Sequence, residues 1–315
     1  MTEIIRLKDI KNSLQRIDVV AAMEQGFIQY SNGNTVVPPV GELLFEKPKG
    51  DVHIKYGYIK ADDYYVIKIA SGFYDNTKLG ISTSQGLMLV FNQKTGEPVA
   101  VLLDKGHLTD IRTAAAGALA AKYFAPKHLT AIGIIGTGIQ AKLQLQYLQQ
   151  HTPCKRVWVW GRSEENTQNF VKALEADFDI TIARTPAELA KNCNLIVTTT
   201  PSEIALLKTE DIQKGTHITA VGSDTVHKQE LDSKLLKIAD IVVTDSLEQS
   251  KSRGEIYRAV NANELKVDAV IELGTALQNT KLQRTNDGQI SIVDLTGVAV
   301  QDIMIAKAVY LNLKK

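Results

Sequence analysis

The chain has 315 residues, of which 44% are hydrophobic, and its formal net charge is +1. This near-neutral balance gives no general attraction to nucleic acid or to anionic membranes, so we expect neither as a partner. No apolar run approaches the roughly 20 residues of a membrane-spanning helix. The charged N-terminus has no signal sequence, so a cytoplasmic protein is expected. Two cysteines are too few for a disulfide framework, and no residue group has metal-ligand spacing, so we expect no metal.

The first part of the chain has the pattern of a mixed sheet. An amphipathic helix is expected at 19–28, where apolar residues recur at helical spacing. Strands are expected at 64–70, 86–91 and 99–103, where apolar runs alternate with polar residues and glycine. These elements predict an α+β domain.

A different pattern begins with an alanine-rich helix at 108–124 and continues after Pro126 as alternating strands and helices. This alternation predicts a parallel sheet with crossover helices. The strand candidates lie at 129–135, 157–160, 194–198, 217–221 and 241–244. A further strand at 290–293 precedes an apolar helix, which we expect to return to the first domain.

The first strand after Pro126 ends in a glycine-rich turn, Gly136-Thr-Gly138-Ile-Gln-Ala141, which has the GxGxxA pattern. Gly136 would permit a tight turn, Gly138 would let the backbone approach a pyrophosphate, and Ala141 would let the helix pack on the strand. The free amides at the helix N-terminus suit phosphate groups. Strand, turn and helix in this order predict a dinucleotide site rather than a glycine turn without a ligand.

The end of the second strand favours one dinucleotide over the other. In NAD sites an acidic residue about 20 residues further on commonly holds the ribose hydroxyls. Here Val157-Trp-Val-Trp160 continues as Gly161-Arg162-Ser163, with no carboxylate at the strand end. Arg162 and Ser163 could instead bind a 2′-phosphate. We therefore favour NADP(H), with NAD(H) as the alternative.

Five segments resemble the signature motifs of the ornithine cyclodeaminase/μ-crystallin family, in the family's order and spacing. They are Val66-Ile-Lys68-Ile-Ala, Asp104-Lys-Gly-His-Leu-Thr-Asp-Ile-Arg112-Thr-Ala-Ala-Ala-Gly, Gly136-Thr-Gly-Ile-Gln-Ala141, Val221-Gly-Ser-Asp224 and Asp294-Leu-Thr-Gly297. The resemblance covers nearly the whole chain. With the patterns above, it implies an α/β fold in which 126–295 form a Rossmann-type parallel sheet domain. Residues 1–125 and 296–315 would form a discontinuous α+β substrate-binding and dimerisation domain of a homodimer.

The resemblance also implies hydride transfer at Cα of a small α-imino or α-amino carboxylate. Lys68 and Arg112 would hold the substrate carboxylate, since Arg can bind it bidentately and Lys adds a point charge. Asp224 matches the family's acid/base carboxylate, and with Lys68 it is a predicted catalytic residue. The expected cofactor contacts are Arg112, Gly136, Gly138, Ile139, Gln140, Arg162, Ser163, Thr200, Val221, Ser223 and Thr296.

Two departures from the family pattern bear on the substrate. Family cyclodeaminases carry an additional Arg after the first helix, and residues 35–45 contain none. The candidates for its place are Lys47, Lys49, His53 and Lys55. Cyclodeaminases also usually follow the aspartate with Cys-Pro-Gly-Lys, whereas Asp224 is followed by Thr-Val-His-Lys. Both departures argue against ornithine as the substrate.

Several functions remain open. The favoured one is an NAD(P)H-dependent reductase that delivers hydride to the imine carbon of a small α-imino acid, of the Δ1-pyrroline-2-carboxylate type that gives L-proline. The alternatives are an ornithine cyclodeaminase forming L-proline and ammonia, an amino-acid dehydrogenase or iminosuccinate-type reductase, and a non-enzymatic ligand-binding protein. Arg162 favours the reductase, because a cyclodeaminase recycles its cofactor in place and needs no access to cellular NADPH. Asp224 is the expected proton donor, with His107 and His227 as alternatives.

Overall fold

The computed structural model describes residues 1–314, without the side chains of Tyr74 and Thr77. Lys315, the last residue of the predicted discontinuous domain, lies outside the described residues. The chain forms two compact units. The first unit comprises Met1–Arg112 and the chain from Val298, and the second unit comprises Thr113–Gly297. The substrate-binding and dimerisation roles expected for 1–125 and 296–315 remain predictions.

The first unit is a seven-stranded, mostly antiparallel sheet with helices. Its elements up to the unit boundary are β1 (Glu3–Arg6), α1 (Leu7–Leu14), α2 (Val19–Ser31), β2 (Thr35–Val36), β3 (Gly41–Phe45), β4 (Gly50–Ile59), β5 (Tyr64–Phe73), β6 (Ser84–Asn92), β7 (Pro98–Leu103) and α3 (His107–Phe124). The strand order is β1-β7-β6-β5-β4-β2, with β3 paired to β4. The unit boundary falls inside α3. The predicted strands at 64–70, 86–91 and 99–103 lie within β5, β6 and β7 and are confirmed.

The second unit contains the alternating strands and helices. They are β8 (Ile132–Ile135), α4 (Ile139–Leu148), β9 (Arg156–Trp160), α5 (Glu164–Leu174), β10 (Asp179–Ile182), α6 (Pro186–Asn192), β11 (Leu195–Thr198), β12 (His217–Ala220), α7 (Ser233–Ile238), β13 (Ile241–Thr244), α8 (Gly254–Asn261), β14 (Val270–Glu272), α9 (Leu273–Gln278) and β15 (Ser291–Asp294). The last helix, α10 (Ala299–Leu313), belongs to the first unit.

All neighbouring strands of the second unit are parallel, in the order β10-β9-β8-β11-β12-β15-β13-β14. The central strands are buried throughout, as expected where both sheet faces are covered. The order reverses between β8 and β11, and ligands of such sheets bind at the carboxyl ends of the strands at this point. The predicted α/β fold with a Rossmann-type parallel sheet is confirmed.

One predicted strand is shorter than its apolar pattern suggests. β8 begins at Ile132, whereas the apolar run begins at residue 129. The N–H of Thr130 donates to the side-chain oxygen of Asn194 (2.8 Å) and not to a neighbouring strand. Residues 129–131 therefore lead into the sheet without belonging to it.

The sheet of the first unit has two different faces. Helix α10 packs against β4, β5, β6 and α2 on one of them. On that inner face Lys55, Lys68, Met88 and Leu102 form a row across four strands, and all four are buried. The next row, on the outer face, is half-buried or exposed. Within residues 1–314, no helix has both the length and the apolar character that crossing a membrane requires.

Candidate functional site

The turn between β8 and α4 has the geometry that a dinucleotide requires. Gly136 has a φ of +120°, and a Cβ on it would lie 2.4 Å from Thr199 Oγ1. A Cβ on Gly138 would meet nothing within 4 Å, so the space beside it is open. Gly138 is the N-cap of α4 and provides no side-chain cap, which leaves the first amides of the helix available to a phosphate. Ala141, in the first turn of α4, is fully buried.

A cavity of about 320 Å³ opens at this turn, within the second unit. It is lined by Gly136, Thr137, Gly138, Trp160, Gly161, Arg162, Ser163, Asn166, Thr199, Thr200, Pro201, Ser202 and Leu206. Five of the predicted cofactor residues are in this lining: both glycines, Arg162, Ser163 and Thr200. The lining contains no carboxylate, and the exposed Arg162 lies two residues after the end of β9. The residues present therefore fit a dinucleotide, with a cation where the 2′ position of its ribose is expected.

The remaining residues predicted to contact the cofactor from the second unit do not line this cavity. Ile139 is exposed on the first turn of α4, and Gln140 Oε1 accepts from Gln144 Nε2 (3.4 Å). Val221 is buried, and the hydroxyl of the buried Ser223 donates to the carbonyl of Lys228. The hydroxyl of Thr296 donates to Asp245 Oδ1 (3.0 Å). Their roles as cofactor contacts remain predictions.

In the first unit, two predicted substrate-binding cations share one buried carboxylate. Asp302 on α10 places Oδ2 3.1 Å from Lys68 Nζ and Oδ1 3.0 Å from Arg112 Nε. Lys68 is 2% exposed, Arg112 5% and Asp302 1%. Gln301 adds to the arrangement, because its Oε1 accepts from Arg112 Nη1 and its Nε2 donates to the Arg112 carbonyl (both 3.3 Å). The start of α10 is thereby fixed to Arg112.

Burial and charge act in opposite directions in this group. Burial lowers the pKa of Lys68, and the attraction of Asp302 partly offsets this effect. Burial alone would raise the pKa of Asp302, but the charges of Lys68, Arg112 and Lys55 outweigh it and hold the pKa of that carboxyl below its usual value. Asp302 is therefore an ionised counter-ion for several cations.

Among the four candidates for the missing early Arg, Lys55 is the one that is buried, 9% exposed. It pairs in register with Lys68 and faces the same side of the sheet. His53 lies 3.5 Å from both the Glu42 and the Asp51 carboxylates. Lys47 and Lys49 are exposed. The structure thus brings a third cation beside Lys68 and Arg112.

Asp224 lies in the loop after β12, at the carboxyl end of the parallel sheet. It is half-buried, and its Oδ1 lies 2.6 Å from Lys228 Nζ. Of the alternative proton donors, His227 is exposed in the same loop. His107 starts α3 in the first unit, and burial lowers its pKa. The carboxylate position fits general acid/base chemistry, since ligands of such sheets bind at this end.

Three carboxyl groups of the second unit are buried, and two of them, Glu230 and Glu255, were not predicted from the sequence, whereas Asp294 begins the fifth motif. Burial raises the pKa of Glu230 to about 7 and that of Asp294 to about 8, and it raises the pKa of Glu255 well above its usual value. Asp302 was also missed, although a lone carboxylate in the apolar run 298–306 is a recognisable signal. Within residues 1–314 no group of three or more His, Cys or carboxylate side chains could hold a metal ion.

The model of the ornithine cyclodeaminase/mu-crystallin family matches residues 2–315, which confirms the resemblance seen in the motifs. An uncharacterised cyclodeaminase of Sinorhizobium fredii is 38% identical over 92% of this chain and 89% of its own length. The alanine dehydrogenase of Archaeoglobus fulgidus is 37% identical over 99% of this chain and 95% of its own.

Solved structures resemble the whole chain. An archaeal alanine dehydrogenase dimer with bound NAD superposes with a TM-score of 0.90, at 34% identity, over 99% of this chain and 96% of its own. The Δ1-pyrroline-2-carboxylate reductase of Thermococcus litoralis, in complex with NADH and L-proline, superposes with a TM-score of 0.92 at 25% identity, over 99% of this chain and 98% of its own. The iminosuccinate reductase of Paracoccus denitrificans, in complex with NAD⁺, superposes with a TM-score of 0.87 at 28% identity, over 99% of this chain and 96% of its own.

Proposed function

The chain belongs to the ornithine cyclodeaminase/mu-crystallin family, and we propose that within it the protein is an NAD(P)H-dependent reductase of small α-imino acids. Its first substrate to test is Δ1-pyrroline-2-carboxylate, which would give L-proline. The observation that carries the proposal is the shared counter-ion of the first unit. Lys68 and Arg112 are buried and share the carboxylate of Asp302, and Lys55 lies beside Lys68 in the same row of the sheet. Cations gathered in this way suit a substrate carboxylate, since Arg can bind it bidentately and Lys adds a point charge.

The nucleotide would be held by the second unit. The amides at the start of α4 would bind its pyrophosphate, and Gly136 and Gly138 leave the space for it. When bound, the reduced nicotinamide supplies the hydride. Arg162 would pair with a 2′-phosphate, which favours NADP(H) over NAD(H). A reductase of this kind draws on the nucleotide pool of the cytoplasm, where we propose that it works.

The first unit would bind the substrate through its carboxylate. Arg112 presents its Nε to Asp302, so the guanidinium is held in a fixed orientation, and Lys68 is held by the other oxygen of the same carboxylate. A bound carboxylate would be a second anionic partner for these cations, beside Asp302.

Asp224 would handle the proton. An imine carbon accepts hydride readily only when its nitrogen is protonated or strongly hydrogen-bonded. A carboxylate near that nitrogen favours the iminium form, and a carboxylic acid can donate the proton itself. Lys228 Nζ donates to Asp224 Oδ1 (2.6 Å) and holds this side chain in place.

The test is a panel of imino acids with NADPH and with NADH, followed at the nicotinamide absorbance, with ornithine plus NAD⁺ and ammonia detection alongside. We expect reduction of Δ1-pyrroline-2-carboxylate, and a kcat about 10²–10⁴-fold lower in Asp224→Asn, the usual range for a positioned acid or base. NADPH affinity should stay nearly unchanged in that variant. Ammonia release from ornithine without net NADH formation would instead identify a cyclodeaminase. A fall of only a few-fold in Asp224→Asn would assign the proton step to another group.

Lys55 favours a second candidate, a reductase of imino dicarboxylates of the iminosuccinate type. A substrate with two carboxylates could place its second carboxylate at Lys55 while the first one pairs with Lys68 and Arg112. The same panel decides between the two. For a dicarboxylate enzyme, Lys55→Met should lower kcat/KM for iminosuccinate by about tenfold or more, the value of one charge-assisted contact. The same substitution should leave kcat/KM for monocarboxylate substrates nearly unchanged.

We also propose that the enzyme is a homodimer joined through the outer face of the first unit's sheet. Most of the outward residues of β4, β5 and β6 are apolar or aromatic, and they are half-buried or exposed. They are Ile54, Tyr56, Tyr58, Tyr65, Ile67, Ile69, Leu87, Leu89 and Phe91. An apolar patch of this extent on a sheet face is typical of an interface. Ile67→Glu should give a monomer in size-exclusion chromatography with light scattering, and an unchanged dimer would exclude this face.

A further inference from the structure

Glu230 connects two loops of the second unit through its side chain. Its Oε1 accepts from the N–H and the hydroxyl of Thr200, at 2.5 and 2.8 Å. Its Oε2 accepts from the hydroxyl of Thr198 (2.7 Å) and from the N–H of Gly222 (2.8 Å). Thr198 and Thr200 belong to the end of β11 and the loop after it, and Gly222 belongs to the loop after β12. One buried carboxylate therefore joins the two.

Each of these loops carries a part of the proposed machinery. The loop after β11 contributes Thr199, Thr200 and Ser202 to the lining of the nucleotide cavity. The loop after β12 carries Asp224 two residues after Gly222. Its shape is held by the Ser223 hydroxyl, which donates to the Lys228 carbonyl (2.9 Å).

The backbone of Glu230 is also fixed by hydrogen bonds. Its N–H donates to Glu255 Oε1 (2.6 Å), and its carbonyl accepts from the N–H of Leu206 (2.7 Å). Glu255 lies in the first turn of α8, where Asp294 Oδ2 accepts from the N–H of Ile256 (3.0 Å). Glu230 is thus anchored to α8 and, through Asp294, to the end of β15.

The contact between the loops is tight. A Cβ on Gly222 would lie 2.2 Å from the Thr200 carbonyl oxygen and 2.5 Å from Glu230 Oε2. Two of the four donors are backbone N–H groups, which cannot turn away as hydroxyls can. Glutamine at position 230 would point its NH₂ group at one of these two N–H groups in either orientation of its amide. Only the ionised carboxylate, which predominates above its pKa of about 7, satisfies both.

We propose that Glu230 is a positioning residue, whose carboxylate fixes the cofactor-lining loop after β11 relative to the loop that carries Asp224. The part of this inference that concerns Asp224 rests on the proposed function. The part that concerns the cofactor loop requires only nucleotide binding. No substrate contact is assigned to Glu230 itself.

The first experiment is Glu230→Gln, with Glu175→Gln as a matched control at an exposed position. The Kd of NADPH and of NADH, measured by nucleotide fluorescence, should rise at least about tenfold in Glu230→Gln, as for a lost charge-assisted hydrogen bond. It should stay unchanged in the control. Thermal unfolding of both variants verifies that they are folded. A Kd within twofold of the wild-type value in folded Glu230→Gln would overturn the role at the cofactor loop.

A double-mutant cycle tests the role at Asp224. If Glu230 positions Asp224, Asp224→Asn should lower kcat at least about tenfold less in the Glu230→Gln background than in the wild type. A purely structural loss would reduce the fraction of active enzyme and leave the two effects on kcat additive, which would overturn this part. If no imino acid is reduced, the proposed function fails, while the nucleotide Kd still decides for or against Glu230.

A second variant covers the case in which Glu230→Gln does not fold. Thr198→Val keeps the shape of the buried side chain and removes one of the four donors. The nucleotide Kd should then rise about threefold to fivefold, as for a single neutral hydrogen bond. A wild-type Kd in folded Thr198→Val would count against the proposal.

Discussion

The proposed preference for NADP(H) rests on Arg162, with Ser163 beside it. Arg162→Asp would remove a cation from the edge of the nucleotide cavity and add an anion there. We expect the ratio of kcat/KM for NADPH to that for NADH to fall at least about tenfold, because a charge-assisted contact contributes roughly 1.5–3 kcal/mol. Steady-state kinetics with both nucleotides measure this ratio.

A matched control exists on the same strand. Arg156 begins β9, at the end away from Arg162, and is exposed. Arg156→Asp makes the same charge change and should leave the NADPH/NADH ratio at its wild-type value. An unchanged ratio in Arg162→Asp would refute the recognition of a 2′-phosphate by this residue.

Arg112 and Lys68 are expected to differ in their importance. Arg112→Ala removes a cation from Asp302 and also one hydrogen bond to Gln301 Oε1, whereas Lys68→Ala removes only the ion pair. We expect kcat/KM for the imino acid to fall about tenfold in Lys68→Ala and about a hundredfold in Arg112→Ala, since partners of buried charges are lost. Arg16→Ala, at an exposed position, is the control. Wild-type kcat/KM in Arg112→Ala would exclude this residue from substrate binding.

At the scale of elements, the β8–α4 turn depends on Gly136. Gly136→Ala would place a Cβ 2.4 Å from Thr199 Oγ1, on a backbone with a φ of +120° that side chains rarely adopt. The turn or Thr199 must shift, and both line the nucleotide cavity. We expect the nucleotide Kd to rise at least about tenfold, an effect measurable by fluorescence titration.

The control for this prediction is Gly96→Ala. Gly96 also has a positive φ, +74°, but lies in the turn between β6 and β7 with open space around it. Both variants therefore carry backbone strain, while only Gly136→Ala changes the cavity. If the two variants bind the nucleotide equally well, the glycine turn is not part of the cofactor site.

Elements with a strong local signal could be predicted from the sequence. The strands β5, β6 and β7, the helix α3 and the glycine turn follow from periodicity and composition. The strand β3 could not be predicted in this way, because its stabilising partner is β4 and its own side chains are mostly exposed. Pairing with β4 stabilises β3, whose own residues show no clear preference for a strand.

At the scale of the whole molecule, contacts between distant parts of the chain limited the prediction of the site. Arg112 and Asp302 are 190 residues apart, and nothing in either segment indicates that they pair. Glu230 occurs in a polar stretch and receives hydrogen bonds from donors 30 or more residues earlier and 8 residues earlier. The motifs indicated the residue types of the site, and the fold alone placed their counter-ions.

The buried carboxyl groups of the second unit also determine how stability depends on pH. Burial raises the pKa of Asp294 to about 8 and that of Glu230 to about 7, above the usual values of 3.8 and 4.5. A raised pKa means that the folded state keeps a proton that the unfolded state has lost. This retained proton stabilises the folded state. The stabilisation is complete at pH values below the usual pKa of the group, and it is lost as the pH rises through the pKa of the group in the folded state. Burial lowers the pKa of His217 to about 3. This group makes the free energy of unfolding rise with pH between about 3 and its usual pKa of 6.5, so it has little influence above pH 7.

Between about pH 7 and pH 8, the free energy of unfolding should therefore fall as the pH rises. One group that releases its proton over this range contributes a slope of up to about 1.4 kcal/mol per pH unit. Asp294→Asn cannot titrate, and it keeps an oxygen that can accept from the N–H of Ile256, so it should flatten this slope by about 1 kcal/mol per pH unit. Asp177→Asn, at an exposed position, should leave the slope unchanged. Urea unfolding of the three proteins at both pH values measures the effect. Equal slopes in the wild type and in Asp294→Asn would mean that Asp294 is already ionised at neutral pH, despite its burial.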